Sequence, residues 1–309
     1  MRLRPVLATA AALCLTATPL TACGSDDGTT SADGTPKVSV MASFYPLQHA
    51  VEQVGGDHVA VTNLTKPGAE PHDLELSPRD TVAVAKADLV VYQSGFQPAV
   101  DDAAKQARDT AFDVTPAAHL DLAATEDGHD HEHGEEGGKD PHFWLDPMKY
   151  AAVVDAVATR LAEVDPEHAD DYRANATRYR KELTTLDTEF EDGLRTCRSK
   201  ELVTGHAAFG YLADAYGLEQ ESITLDPEAE PSAKDMAEVV EHVKEHGVKT
   251  VYAETLVPRK TAETIAAETG ATVAVLDPLE GLTDESAGDD YVSVMRSNLK
   301  TLVKGQSCS

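Results

Sequence analysis

The feature that most constrains this fold is a helical pattern in the middle of the chain. Tyr172, Ala176, Tyr179, Leu183, Leu186, Phe190 and Leu194 recur at threes and fours with charged residues between them, the signature of one apolar stripe. Asp165-Pro166 supplies a start signal, and Gly193 comes only near the end. From Glu167 to Arg195 such a helix is about 43 Å long at about 1.5 Å per residue. A single small lobe has no need of that length, so the pattern predicts a rigid strut between two lobes.

The segments on either side share one rhythm. Before the strut, β-rich runs at 37–43, 58–64, 89–92 and 111–114 alternate with helical segments opened by Pro46, Ser77-Pro78 and Pro98; Asp146-Pro147 opens a further one. After it, runs at 202–204, 222–225, 250–253 and 272–276 alternate with helices at 207–216, 232–246, 260–269 and 290–302. Strand–helix alternation predicts parallel sheets covered on both faces. The fold class expected is α/β: two β/α lobes with mainly parallel sheets, 37–164 and 197–309, joined by a linking helix at 165–196.

The ends fix the compartment. Arg2 and Arg4 precede the apolar run Val6–Leu15, a secretory signal in length and flanks and too short to span a membrane convincingly. Leu20-Thr21-Ala22-Cys23 resembles a bacterial lipobox, which implies a signal peptide at 1–22 and lipidation of Cys23. Residues 23–36 are rich in Gly, Ser, Thr and Asp and read as a flexible tether. The expected location is the outer face of the bacterial cell membrane. Beyond Cys14 and Cys23, only Cys197 and Cys308 remain, and an even pair in an exported chain is expected to form a disulfide; the alternative is a pair of thiolate metal ligands. With 54 acidic against 26 basic residues, the net charge of −28 argues against nucleic acid or anionic lipid as ligand and suits a cationic one.

Four residues share one local setting. His72 lies in a loop after a strand, His142 in a loop before a helix, His206 at a strand end, and Asp277 at the end of the run 272–276. Ligands of open α/β sheets bind outside the carboxyl ends of strands. Two of these residues belong to each lobe, so they can converge only in the cleft between lobes. Three imidazoles and a carboxylate would make a closed tetrahedral set suited to zinc, although no short fixed spacing singles them out. His129, His131 and His133 sit in an acidic, Gly-rich run at 126–139 with too little apolar surface to pack, and they read as an auxiliary metal-collecting loop. His49, His58, His119, His168, His242 and His246 read as surface residues.

Four segments carry a family resemblance. Gly68-Ala69-Glu70-Pro71-His72-Asp73-Leu74-Glu75-Leu76-Ser77-Pro78, Asp140-Pro141-His142-Phe143-Trp144-Leu145-Asp146-Pro147, Thr204-Gly205-His206-Ala207-Ala208-Phe209-Gly210-Tyr211-Leu212 and Leu276-Asp277-Pro278-Leu279 resemble, in order, the four metal-ligand motifs of bacterial solute-binding proteins that feed zinc and manganese ABC importers. The likeness covers essentially the whole chain after Cys23. It implies two β/α domains joined by a rigid helix, with a metal ion buried between them. The implied ligands are His72, His142, His206 and Asp277, with Glu70 or water as the alternative fourth. It also implies a permease with its ATPase as partners, and a monomer is expected.

His206 stands where manganese members of that family tend to carry Glu, and exchanging a carboxylate for imidazole favours zinc, Zn2+ being the expected ligand. The function expected is capture of zinc and its delivery to an ABC permease, with release by local movement of ligand loops. The alternatives are manganese or iron uptake by the same class of importer, or a metal-binding surface adhesin. A zinc hydrolase is not expected, because the chain has neither a His-Glu-x-x-His run nor a Gly-x-Ser-x-Gly turn.

Overall fold

The computed structural model describes residues 30, 34, 36–124, 138–224, 227, 230–256 and 259–309. The expected signal segment, Cys23 and the loop residues His129, His131 and His133 lie outside the described residues. The first lobe contains β1 (Val38–Ala42), α1 (Tyr45–Gly55), β2 (Val59–Asn63), α2 (Pro78–Val84), β3 (Leu89–Tyr92), α3 (Pro98–Ala107), β4 (Ala111–Asp113), α4 (Thr115–Ala118) and α5 (Pro147–Val164). The long α6 (Ala169–Leu194) follows, and then β5 (Glu201–His206), α7 (Gly210–Tyr216), β6 (Glu219–Thr224), α8 (Ala233–Glu245), β7 (Thr250–Ala253), α9 (Lys260–Thr269), β8 (Thr272–Val275) and α10 (Tyr291–Gly305).

Two four-stranded sheets result, ordered β2-β1-β3-β4 and β6-β5-β7-β8, with every neighbouring pair parallel. The second sheet repeats the permutation of the first. In each, the chain leaves the first strand in one direction and returns on its other side, which opens a crevice at the strands' carboxyl ends.

Alternation along the strands divides the core. Val40 and Ala42 face the large shared core while Met41 faces a smaller one under α2 and α3. Likewise Leu202 joins the shared core and Val203 the cluster under α8 and α9. The shared core runs without a break from Val40 in the first lobe to Leu302 in the second.

The helix starts follow their caps. Ser77 and Asp80 form a reciprocal box at α2, and the Asp146 carboxylate accepts from the backbone N–H of Met148 and Lys149 at α5. At α6 the cap works differently. Residues 166–168 form a single 3-10 turn, and the Asp165 carboxylate accepts instead from the Tyr172 hydroxyl at 2.6 Å and pairs with His168 Nδ1 at 2.7 Å. All seven residues of the α6 stripe are buried.

That stripe packs on α1 and α5 of the first lobe and on α7 and α10 of the second. The helix that was expected to join the lobes is therefore also a shared wall of both. Just past its end, Cys197 is disulfide-bonded to Cys308, as the sequence leads one to expect. Among the described residues no helix is long and apolar enough to cross a membrane.

Candidate metal centre

Three imidazoles and one carboxylate meet in the cleft, and the carboxylate belongs to Glu280. Glu280 Oε1 lies 3.1 Å from His72 Nε2, 3.1 Å from His142 Nε2 and 3.3 Å from His206 Nε2. His72 and His142 Nε2 are 3.4 Å apart. All four ligand-type atoms fall within 4.8 Å of one another. A tetrahedral zinc site with Zn–N of about 2.0–2.1 Å has ligand–ligand edges of roughly 3.3 Å. Four of the six separations thus match the edges of such a site, and the two from His206 to the other imidazoles are within 4.8 Å.

Asp277, the carboxylate expected here, is engaged elsewhere. Its Oδ1 accepts from Leu279 N at 2.8 Å and its Oδ2 from Ser286 Oγ at 2.6 Å, while its own backbone is clasped by Asn298 through bonds of 3.0 and 2.7 Å. This Asx turn puts Leu279 at φ 57°, a left-handed backbone that L residues seldom adopt. The turn reverses the chain after β8 and swings the third residue after Asp277 into the cleft. Asp277 therefore positions the turn, and Glu280 reaches the imidazoles. Glu70, the other carboxylate considered, sits behind His72, with Oε1 accepting from His72 N at 3.1 Å and lying 3.9 Å from its Nε2.

Two further carboxylates, missed in the sequence, orient the rings. Asp140 Oδ1 pairs with His142 Nδ1 at 2.8 Å and accepts from the His142 backbone N–H at 2.9 Å. Glu254 does the same for His206, one oxygen on Nδ1 and the other accepting from the backbone N–H at 2.9 Å. A carboxylate on Nδ1 holds the proton there and turns the Nε2 lone pair toward the centre. The signal was present: Asp140 lies two residues before a ligand-type histidine, and Glu254 follows β7 beside the end of β5.

The backbone before each first-lobe histidine is also held. Gln97 Nε2 donates to Pro71 O at 3.1 Å and to Thr65 Oγ1 at 3.0 Å, and Gln93 Nε2 donates to Pro141 O at 2.9 Å. Trp144 Nε1 donates across the cleft to Pro278 O at 2.8 Å, and the Tyr291 hydroxyl donates to Trp144 O. Trp144 thereby locks the His142 segment to the turn that carries Glu280, with its ring edge-on to Phe44 and His142.

Burial is uneven: the His72 side chain is 19% exposed, against 3% for His142, 1% for His206 and 0% for Glu280. Burial raises the Glu280 carboxyl, but the surrounding His206, His142 and His72 outweigh it and hold the group well below its ordinary range. Burial likewise lowers His206 and His142, yet Glu254 and Glu280 around the one, and Asp140 and Glu280 around the other, bring both above the usual imidazole value. Glu70 moves the opposite way. Burial first, and then the Glu280 charge, push it up to about 8. Of Glu70 and Glu280, then, it is Glu280 that is held firmly ionised.

The run expected to collect metal begins beside this centre. Ala123 and Lys139 pair as an antiparallel bridge, with Ala124 N donating to Gly138 O at 2.9 Å and Asp140 N to Leu122 O at 3.1 Å. The base of the insert is thus tied two residues from His142. Of the histidines read as surface residues, His49 is instead buried between Tyr45, Tyr179 and Tyr291.

Residues 40–305 match the family model described as ZnuA, zinc-uptake complex component A, periplasmic. The chain is 39% identical over 285 residues to the zinc-binding protein AdcA of Streptococcus pyogenes serotype M3, an alignment covering 86% of this chain and 55% of that protein. It thus spans about half the length of that relative. To the high-affinity zinc uptake system protein ZnuA of Bacillus subtilis it is 34% identical over 297 residues, covering 91% of this chain and 92% of the other. The solved Zn(II)-bound ZnuA-like domain of Streptococcus pneumoniae AdcA superposes with a TM-score of 0.73 at 34% identity, over 87% of this chain and 99% of that one.

Proposed function

The chain belongs to the family of periplasmic zinc-uptake components, and from that premise we propose that it captures zinc outside the cytoplasm and delivers it to the permease of an ABC importer with its ATPase. The observation that carries this reading is the convergence of four donor atoms, all within 4.8 Å of one another and with four of their six separations at 3.1–3.4 Å, close to the edges of a tetrahedron around a zinc ion. His72, His142, His206 and Glu280 are the ligands in this reading. Glu70 lies just outside that set, and Asp277 serves to aim Glu280. Three imidazoles with a single ionised carboxylate favour zinc over manganese, which prefers oxygen donors.

Capture needs no covalent chemistry. The ion exchanges its water for Nε2 lone pairs already turned inward by Asp140 and Glu254. Binding displaces protons, so affinity falls as the medium is acidified. Release proceeds through the His72 loop, because His142, His206 and Glu280 are enclosed and fastened from several sides. The lipid anchor expected at Cys23 would keep the protein near its permease, and His129, His131 and His133 would raise the metal concentration at the mouth of the cleft.

Chelator competition on the purified chain tests this reading. One tightly bound zinc per molecule is expected, lost in His206→Ala and retained when His129, His131 and His133 are deleted together. Displacement of zinc by an equal concentration of manganese would overturn the metal assignment. Loss of tight binding on deleting the loop histidines would overturn the site.

A further inference from the structure

Two histidines on α8 and its cap meet the first residue of β5 at the opposite end of the second sheet. His242 and His246 are four apart, so they share one face of the last helical turn. Their rings stack at 4.2 Å between centroids, only 13° from parallel. Both point at one carboxylate: Glu201 Oε2 lies 3.0 Å from His242 Nε2, and Glu201 Oε1 lies 3.0 Å from His246 Nδ1. These donor atoms all lie within 4.8 Å of one another.

Glu201 is held from behind. Its carbonyl accepts from Gln306 Nε2 at 2.8 Å, and its side chain is 16% exposed. His242 is 20% and His246 46% exposed, so the cluster opens to solvent on one side. Because Glu201 begins β5 and His206 ends it, about 16 Å of strand separates this cluster from the cleft at roughly 3.3 Å per residue. No single ion can bridge the two.

We propose that Glu201, His242 and His246 form a second metal site, a two-imidazole, one-carboxylate set for zinc or another borderline divalent ion. The donors are of the same chemical types as those in the cleft, reduced by one imidazole. The last turn of a helix adds its own attraction for a cation, since unpaired carbonyls end there. With three protein donors and an open face, water completes the coordination, and the ion exchanges readily. This site is independent of the uptake reading, because it shares no residue with the cleft.

A hydrogen-bonded staple of α8 onto β5 would show the same contacts without binding metal, so the experiment has to read metal. The full chain with His129, His131 and His133 changed to Asn is loaded with one equivalent of zinc and then titrated with cobalt(II), followed by the visible ligand-field absorbance. A second equivalent is expected to bind, with affinity at least tenfold lower in H242Q/H246Q and with the first zinc retained. H246Q alone, at the most exposed of the three side chains, is expected to weaken the second equivalent as well, and it decides the matter if the double variant melts early by circular dichroism. Absence of a second equivalent, or uptake unchanged in both variants, would overturn the proposal.

Discussion

The two lobes build the same sheet twice, yet they present their donors to the cleft differently. His206 ends a strand, and Glu280 is aimed by a turn clasped through Asp277, Asn298 and Ser286; both are 1% exposed or less. His72 rides on a loop, has 19% of its side chain exposed, and is steadied through its backbone, by Glu70 on its own N–H and Gln97 on the preceding carbonyl. The second lobe therefore offers two enclosed donors, while the first pairs a comparably enclosed His142 with the less enclosed His72. A rigid molecule can still release its cargo if one donor is held less firmly than the others.

The sharpest way to break that comparison is to remove donors one at a time. Apparent zinc binding at four-ligand sites is worth about 10–16 kcal/mol, so an equal share for one donor is roughly 2.5–4 kcal/mol. Glu280→Ala is expected to lower zinc affinity about 100- to 1,000-fold in chelator competition. His72→Ala is expected to cost less, about 10- to 100-fold, because water can take the place of a partly exposed ring. Equal losses would show that the halves do not differ in this way.

His49 tests how the halves are held together, since its ring lies between α1 of the first lobe, α6, and α10 of the second. Burial lowers His49 to about 4, against a weak opposing pull from Asp290. The unfolded chain binds this proton near the ordinary imidazole value and the folded chain resists it. The group's contribution is therefore complete above about pH 6.5 and is lost as pH falls toward 4, up to about 3 kcal/mol. In denaturant titrations across that window, His49→Leu is expected to flatten the acid slope. An unchanged slope would remove His49 from the account.

A smaller effect is expected at the carboxylates behind the rings. Glu254→Gln keeps the donor count but weakens the hold on the His206 ring, and should cost about 10- to 100-fold in zinc affinity with one ion still bound. The smallest comes from Gly210→Ala. A methyl group there would lie 2.4 Å from Asp140 Oδ2, so the carboxylate must shift and loosen its hold on His142. About a tenfold loss at titration is expected, at the lower end of what displacing an orienting group produces. No loss would mean that Asp140 gives way without disturbing His142.

The fold was legible because its signals are local. Caps such as Ser77 and Asp146, the α6 stripe and the strand runs each declare themselves within a few residues. The three ligand-type histidines were legible for a related reason, as each sits at a junction between elements. Glu280 was not, because the turn that aims it depends on the left-handed backbone at Leu279 and on Asn298, 21 residues beyond Asp277. Asp-Pro at a strand's end marked the segment, but the carboxylate that reaches the imidazoles is Glu280, three residues on. His49 lies four residues after Tyr45 on the buried face of α1, a spacing that could have identified it as a core residue.

The unbroken core bears on how the molecule comes apart. Side chains from Val40 to Leu302 belong to one packed cluster, and α6 contributes its whole stripe to both sides of it. Neither lobe can shed its partner without opening that cluster to water, so the pair should melt in a single calorimetric transition. Half-molecules cut within α6 would each carry an uncovered apolar wall, and neither should fold alone.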